Sequence, residues 1–167
     1  MGYRTAAVET LRQANDIGIE IREIVHATAS GGTQAGLVAG LAIRRSSVGV
    51  YGISAGAPSE YLAPVVRDLA EGVLERVGVD RTLGPDAVVV DDAYVGEAYG
   101  VPTQAMREAV ELVASTEGIL LDPVYSGKAM AGLFAYVRAG RYGAGDDVVF
   151  VHTGGAAGLF AYPELFP

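Results

Sequence analysis

Hydrophobic positions along this chain switch repeatedly between helical and extended spacing. Val8, Leu11 and Ala14 predict a helix over residues 5–15, closed near Gly18. Ile21 to Ala27 is β-branched and alternating and predicts a strand, followed directly by the small-residue run Thr28-Ala29-Ser30-Gly31-Gly32-Thr33. Leu37, Val38 and Leu41 share one face of a helix expected from Gln34 to Arg45, and Val48 to Ile53 reads as a second strand. Leu62, Val65, Val66, Leu69, Val73 and Val77 mark a longer helix. Val88 to Val90 is a short buried strand, and Met106, Ala109, Val110 and Val113 give a helical stripe with Pro102 in its first turn. Ile119 to Leu121 is expected as another buried strand, stopped by Asp122-Pro123. Met130, Leu133, Phe134 and Val137 then form a helix ended by Gly140, and Val148 to His152 is the last strand before Gly154-Gly155 and a short helical tail.

Strands apolar throughout and alternating with helices imply an α/β fold, a parallel sheet flanked by helices on both faces. No repeat or linker divides the sequence, so residues 1–167 are expected to form a single domain. In such sheets ligands gather at the carboxyl ends of the strands. That rule directs attention to the loops at 28–33, 54–57, 91–101, 122–127 and 153–156.

The first of these loops has its own chemistry. Glycines let backbone approach a ligand closely, N–H groups at a helix start favour an anion, and the Ser30 and Thr33 hydroxyls add donors. A phosphate group suits that set, although the loop alone is equally readable as a tight turn that holds nothing. It is neither G-x-G-x-x-G nor a Walker loop, so no common nucleotide motif is indicated.

Composition narrows the classes. Half of the 167 residues (50%) are hydrophobic and 19% are charged, as in globular chains. With no cysteine and only His26 and His152 as imidazoles, disulfides, thiolate sites and a structural metal are not expected. The formal net charge of −8 argues against nucleic acid as a partner. No unbroken apolar stretch reaches membrane-spanning length and the first twenty residues lack a signal-peptide run, so no membrane partner and a cytoplasmic location are expected. Asp91-Asp92 is an adjacent carboxylate pair whose members are expected to point apart into solvent.

Gly52-Ile53-Ser54-Ala55-Gly56 matches the G-x-S-x-G nucleophile elbow, and Asp122 and His152 follow in triad order, which makes a serine hydrolase using Ser54 a remote alternative. Against it, no His-Gly-Gly oxyanion loop precedes Ser54. Pro58-Ser59 also places the next helix several residues too late to stabilise an oxyanion there.

Several blocks together resemble one family. These are Thr28-Ala29-Ser30-Gly31-Gly32-Thr33-Gln34-Ala35-Gly36-Leu37, Tyr99-Gly100-Val101-Pro102, the segment from Glu117 to Leu133 containing Asp122-Pro123-Val124-Tyr125-Ser126-Gly127-Lys128, and the ending His152-Thr153-Gly154-Gly155. They are similar to the D-cysteine desulfhydrase/1-aminocyclopropane-1-carboxylate deaminase family of pyridoxal 5′-phosphate (PLP) enzymes, in the family's order and across nearly the whole chain. The resemblance implies part of the large domain of a fold-type II, tryptophan synthase β-like enzyme, with PLP as cofactor. It also implies that Ala29, Ser30, Gly31, Gly32 and Thr33 cradle the PLP phosphate, that Tyr99 and Tyr125 face a small amino-acid substrate, and that Ser126 lies against the pyridine nitrogen. Cyclopropane deaminases of the family carry Glu where this chain has Ser126. A neutral hydroxyl permits an unprotonated pyridine and a weaker electron sink, which suits β-elimination of a thiol better than ring opening.

Lys128 is the only lysine. In the family a separate lysine, in an earlier Asn-Lys-x-Arg-Lys-like segment, forms the Schiff base with the cofactor, and that segment is not in this sequence. The chain is therefore expected to be the C-terminal portion of a catalytic domain. It would be active only with a complementary N-terminal half, or else be a non-catalytic phosphate-binding module, and it is expected to form a homo-oligomer or to depend on that half. Lys128 is expected to pair with a nearby carboxylate.

Overall fold

The computed structural model describes residues 2–166. Four parallel strands, β1 (Ile21–Thr28), β2 (Gly49–Ser54), β3 (Val89–Asp91) and β4 (Asp147–Val151), form one sheet in the order β3-β2-β1-β4. Register sets Thr28 opposite Ser54, Ile53 opposite Asp91 and His26 opposite Val151, so the carboxyl ends converge along one rim. This is the α/β arrangement that the alternating pattern predicts.

The helices are α1 (Gly2–Asp16), α2 (Gly32–Ile43), α3 (Ser59–Arg76), α4 (Gln104–Glu117) and α5 (Ser126–Arg138). Successive strand residues point to opposite faces. Ile24 and Val50 accordingly join Leu37, Leu41, Leu62 and Val66 under α1–α3. Val25, Ala27 and Ile53 meet Ala129 of α5 on the other face. A third cluster, Met106, Val110, Val113 and Leu121, fills the seam between α4 and α5. Each such Val, Leu, Ile or Met side chain, taken fully from water, contributes roughly 1.5–3 kcal/mol.

Three details differ from the sequence expectations. Ile119–Leu121 is not a strand: α4 ends on Gly118 in the left-handed region (φ 67°), and the next three residues carry the chain to the Asp122 turn. Only Leu121 is buried, whereas Ile119 and Leu120 are 48% and 54% exposed. A buried strand and a helix-to-helix link with one anchoring leucine give the same short apolar run. Pro102 precedes the N-cap of α4 rather than sitting in its first turn, and Thr103 Oγ1 caps by accepting the Met106 N–H at 3.1 Å. Asp91 and Asp92 do point apart, but each has a protein partner: Asp91 accepts the Tyr136 hydroxyl, and Asp92 accepts the Ser59 N–H at 2.5 Å.

α1 lies close against α2. A Cβ built on Gly36 would stand 2.7 Å from the Tyr3 Cβ, so the missing side chain is what lets α1 carry Tyr3 to the start of α2.

Candidate active site

At the carboxyl rim a cavity of about 290 Å³ opens between three segments. One wall is the end of β1 and the loop after it, Ala27 to Gly31 with Thr33; Thr153-Gly154-Gly155 after β4 forms another; Tyr125 and Tyr3 close the sides. Size alone does not single it out. A hollow of about 400 Å³ lies among Glu23, Gly49, Arg81 and Asp86, but at the amino ends of the strands, away from the start of α2.

The cavity has the electrostatics of an anion site. Gly31 is the N-cap of α2 with φ 81°, a conformation that costs other residues strain, and no side chain caps the helix there. The first N–H groups of α2 lack intrahelical acceptors by geometry, and the helix dipole adds partial positive charge. The Thr28 hydroxyl, 2% exposed and in the cavity wall, has no hydrogen-bond partner. A buried orphan hydroxyl beside bare helix amides is the donor set that a phosphate satisfies.

Behind this wall His26 is wholly buried. Its Nδ1 stands 2.8 Å from the Ala27 carbonyl, which fits Nδ1–H donating, and its Nε2 has no partner. Burial pulls its pKa from 6.5 down to about 4, against the raising effect of the Ala27 carbonyl. Between these values the unfolded chain binds a proton that the folded chain refuses, so stability falls as pH drops from 6.5 to 4. The expected loss is about 3 kcal/mol. Denaturant melts across that window should show a clearly shallower slope for His26→Asn; parallel slopes would contradict the assignment.

Tyr99 and Tyr125 meet hydroxyl to hydroxyl, with rings edge to face at 5.8 Å. The bond to Tyr99, then burial, pushes the Tyr125 phenol up to about 12, so it keeps its proton at neutral pH. Tyr125 lines the cavity, whereas Tyr99 is 56% exposed and reaches the cavity through Tyr125.

Asp122 organises this corner. Its carboxylate accepts the Val124, Tyr125 and Ser126 N–H groups, each at 2.8 Å, and the Ser126 hydroxyl at 2.6 Å. Ser126 Oγ in turn accepts the Asp122 N–H at 2.8 Å. Ser126 is therefore buried within the turn and its proton is committed to Asp122.

Of the residues singled out in the sequence, the cavity wall gathers Ala29, Ser30, Gly31, Thr33 and Tyr125. Gly32 offers its backbone in the first turn of α2, Tyr99 reaches the wall through Tyr125, and Ser126 follows Tyr125 in the chain but turns its hydroxyl to Asp122, outside the cavity lining. Tyr3 and Thr28 were not among them. Thr28 belongs to the recognised loop but was not read as a ligand, and nothing in the spacing of α1 marks Tyr3.

The hydrolase alternative is overturned. Ser54 is fully buried, its hydroxyl donating to the Ala57 carbonyl at 2.6 Å and accepting the Gly56 and Ala57 N–H groups. His152 Nε2 turns to the Leu120 carbonyl at 2.9 Å, and Asp122 is spent on its own turn. Glycine-rich sequence produced the pattern without the geometry.

Lys128 does not line the cavity, and it pairs with the Val95 and Ala98 carbonyls rather than with a carboxylate.

The family described as pyridoxal-phosphate dependent enzyme matches residues 1–154. A 1-aminocyclopropane-1-carboxylate deaminase of Methylobacterium nodulans is 39% identical over 166 residues, covering 99% of this chain and 49% of that protein. The one from Variovorax paradoxus is 38% identical with the same coverage. A crystal structure of an ACC deaminase homologue superposes with a TM-score of 0.86 at 35% identity, over 98% of this chain and 47% of that one. The processed form of threonine deaminase isoform 2 from Solanum lycopersicum shares the fold, with a TM-score of 0.57 at 19% identity over 99% of this chain and 49% of that one. The chain spans about half the length of the curated relatives that it matches.

Proposed function

Since this chain belongs to the pyridoxal-phosphate dependent enzyme family, we propose that it forms the phosphate-holding part of a PLP site acting on a small amino acid by β-elimination, with release of a thiol, ammonia and a 2-oxo acid. The observation that carries this reading is the cavity at the N-terminus of α2, where the buried, unpartnered Thr28 hydroxyl stands beside uncapped helix amides. The residues present fit a phosphate monoester, and Ala29 to Thr33 would hold it through N–H and hydroxyl groups.

When bound, PLP supplies an electron-withdrawing ring that stabilises negative charge at the substrate α-carbon. Tyr125 keeps its proton and so can donate from Oη to a substrate carboxylate, with Tyr99 fixing the direction of that phenol. To meet an unprotonated ring nitrogen, the Ser126 hydroxyl would swing its proton away from Asp122 Oδ1, which keeps the Ser126 N–H in compensation. A neutral group at this position is what favours β-elimination.

The second reading is a deaminase of 1-aminocyclopropane-1-carboxylate, favoured by the names of relatives at 38–39% identity. Both readings need a lysine that reaches the cofactor, and Lys128 is buried away from the cavity. We propose that a complementary half supplies it. Apolar side chains left in water, among them Phe160 at 88% and Leu120 at 54% exposure, are consistent with a covering partner.

Titrating PLP and pyridoxal against the protein, read by the amide shifts of Ser30 to Gln34, tests the site. PLP is expected to bind roughly 100-fold more tightly, the worth of two or so charge-assisted hydrogen bonds. Equal affinities, or unmoved amides, would overturn the reading. In the protein assembled with its complementary half, sulfide release from D-cysteine set against ammonia release from 1-aminocyclopropane-1-carboxylate separates the two activities.

A further inference from the structure

Lys128 is an anomaly of burial. It is the only lysine of the chain, it is fully buried, and no ion pair among the described residues includes it. Burying an ammonium without a counter-charge is costly, and burial duly lowers its pKa. What the side chain does make is two long-range hydrogen bonds. Nζ donates to the Val95 carbonyl at 2.6 Å and to the Ala98 carbonyl at 3.1 Å.

Both acceptors lie in the loop between β3 and α4, which has no strand or helix of its own. That loop carries Tyr99. One further tie, Tyr162 Oη donating to the Gly100 carbonyl at 2.8 Å, holds it on the far side of Tyr99. The two anchors bracket the tyrosine, at residue 98 and residue 100. Lys128 also stands in the first turn of α5, three residues after Tyr125 at the N-cap. One helix start therefore presents both the phenol that meets Tyr99 and the ammonium that holds the loop bearing it. A flexible four-carbon stem ending in three donors suits a group that must collect carbonyls from an irregular segment.

We propose that Lys128 is a positioning residue, gripping the Val95 and Ala98 carbonyls so that the loop delivers the Tyr99 hydroxyl to Tyr125 at the cavity wall. Its functional consequence rests on the reading of these tyrosines as the substrate-facing pair. The contact itself is tested without cofactor, so failure of PLP to bind would leave it standing.

Tyr125 reports the contact. The Tyr99 bond, then burial, pushes its phenol up to about 12, against 10 for an ordinary tyrosine. In the full chain carrying ζ-13C-tyrosine, about 1% of Tyr125 is expected to be ionised at a pH near 10 in the wild type. Lys128→Met keeps the length and removes the donors, so the ionised fraction should rise more than tenfold, to the level that Tyr99→Phe produces. A folded Lys128→Met protein, less stable but with Tyr125 still protonated, would show a merely structural lysine and overturn the proposal. Should that variant not fold, the wild type decides. Labelled 15Nζ gives a single signal, expected to exchange slowly and to couple through hydrogen bonds to the Val95 and Ala98 carbonyl carbons. An ammonium exchanging at the solvent rate without coupling would refute it.

Discussion

Replacing Asp122 by alanine is expected to destabilise the protein more than any other single polar substitution near the site, by about 3–5 kcal/mol. Its carboxylate is 2% exposed and accepts four hydrogen bonds at 2.6–2.8 Å. Alanine leaves three N–H groups and one hydroxyl without acceptors where water has little access. Hydrogen bonds to a charged group contribute roughly 1.5–3 kcal/mol each, and four sharing one acceptor add less than their sum. In a domain of this size the thermal midpoint should fall by about 10 °C or more. Asp122→Asn keeps one acceptor oxygen but aims an NH2 at donors, so it should fall between wild type and alanine. Chemical denaturation measures the series, and a loss under about 1 kcal/mol for alanine would contradict this account of the turn. The effect should extend to function, because the Asp122 turn sets the backbone of Tyr125, which lines the cavity.

The second large effect is expected at Gly31, and it falls on ligand affinity. The residue caps α2 with φ 81°, and a Cβ there would lie 3.1 Å from the Val66 Cγ2 of α3. Any other residue adds strain of about 1–2 kcal/mol and must push against a packed core side chain. Gly31→Val should relieve both by shifting the start of α2, which turns the first amides away from their common focus. Affinity for inorganic phosphate or PLP is expected to fall at least tenfold. Gly32→Ala is the informative neighbour. Its φ is not positive and a Cβ meets nothing within 4 Å, so it keeps the same amides in place and should lose little. Calorimetric titration of both variants checks the contrast, and similar losses would mean that the α2 start is not what holds the anion.

Local periodicity made much of this legible in advance. Runs such as Ile21 to Ala27 and the stripe from Leu62 to Val77 carry their own secondary structure, since the repeat of apolar positions is written in consecutive residues, although packing buries Leu62, Val66, Ala70 and Leu74 and leaves Leu69 43% exposed. The turn of Ala29 to Thr33 that opens α2 was legible for a related reason: a strand-to-helix turn built on glycines lies within one short segment. Ile119–Leu121 failed because three apolar residues contain less than one period of anything, and burial of Leu121 alone depended on where α4 and α5 met.

The sequence by itself therefore determined most of the strands and helices in their order along the chain, the rim on which a ligand could sit, and the glycine turn that opens α2, all of which depend on residues adjacent in the chain. Only the tertiary structure decided that Tyr3 reaches the cavity, that Ser54 turns inward, and that Lys128 holds carbonyls 30 and 33 residues away rather than a carboxylate. The physical reason is that the partner of a long or buried polar side chain is chosen by whichever segment packing brings within about 3 Å, and spacing along the chain carries no record of that distance.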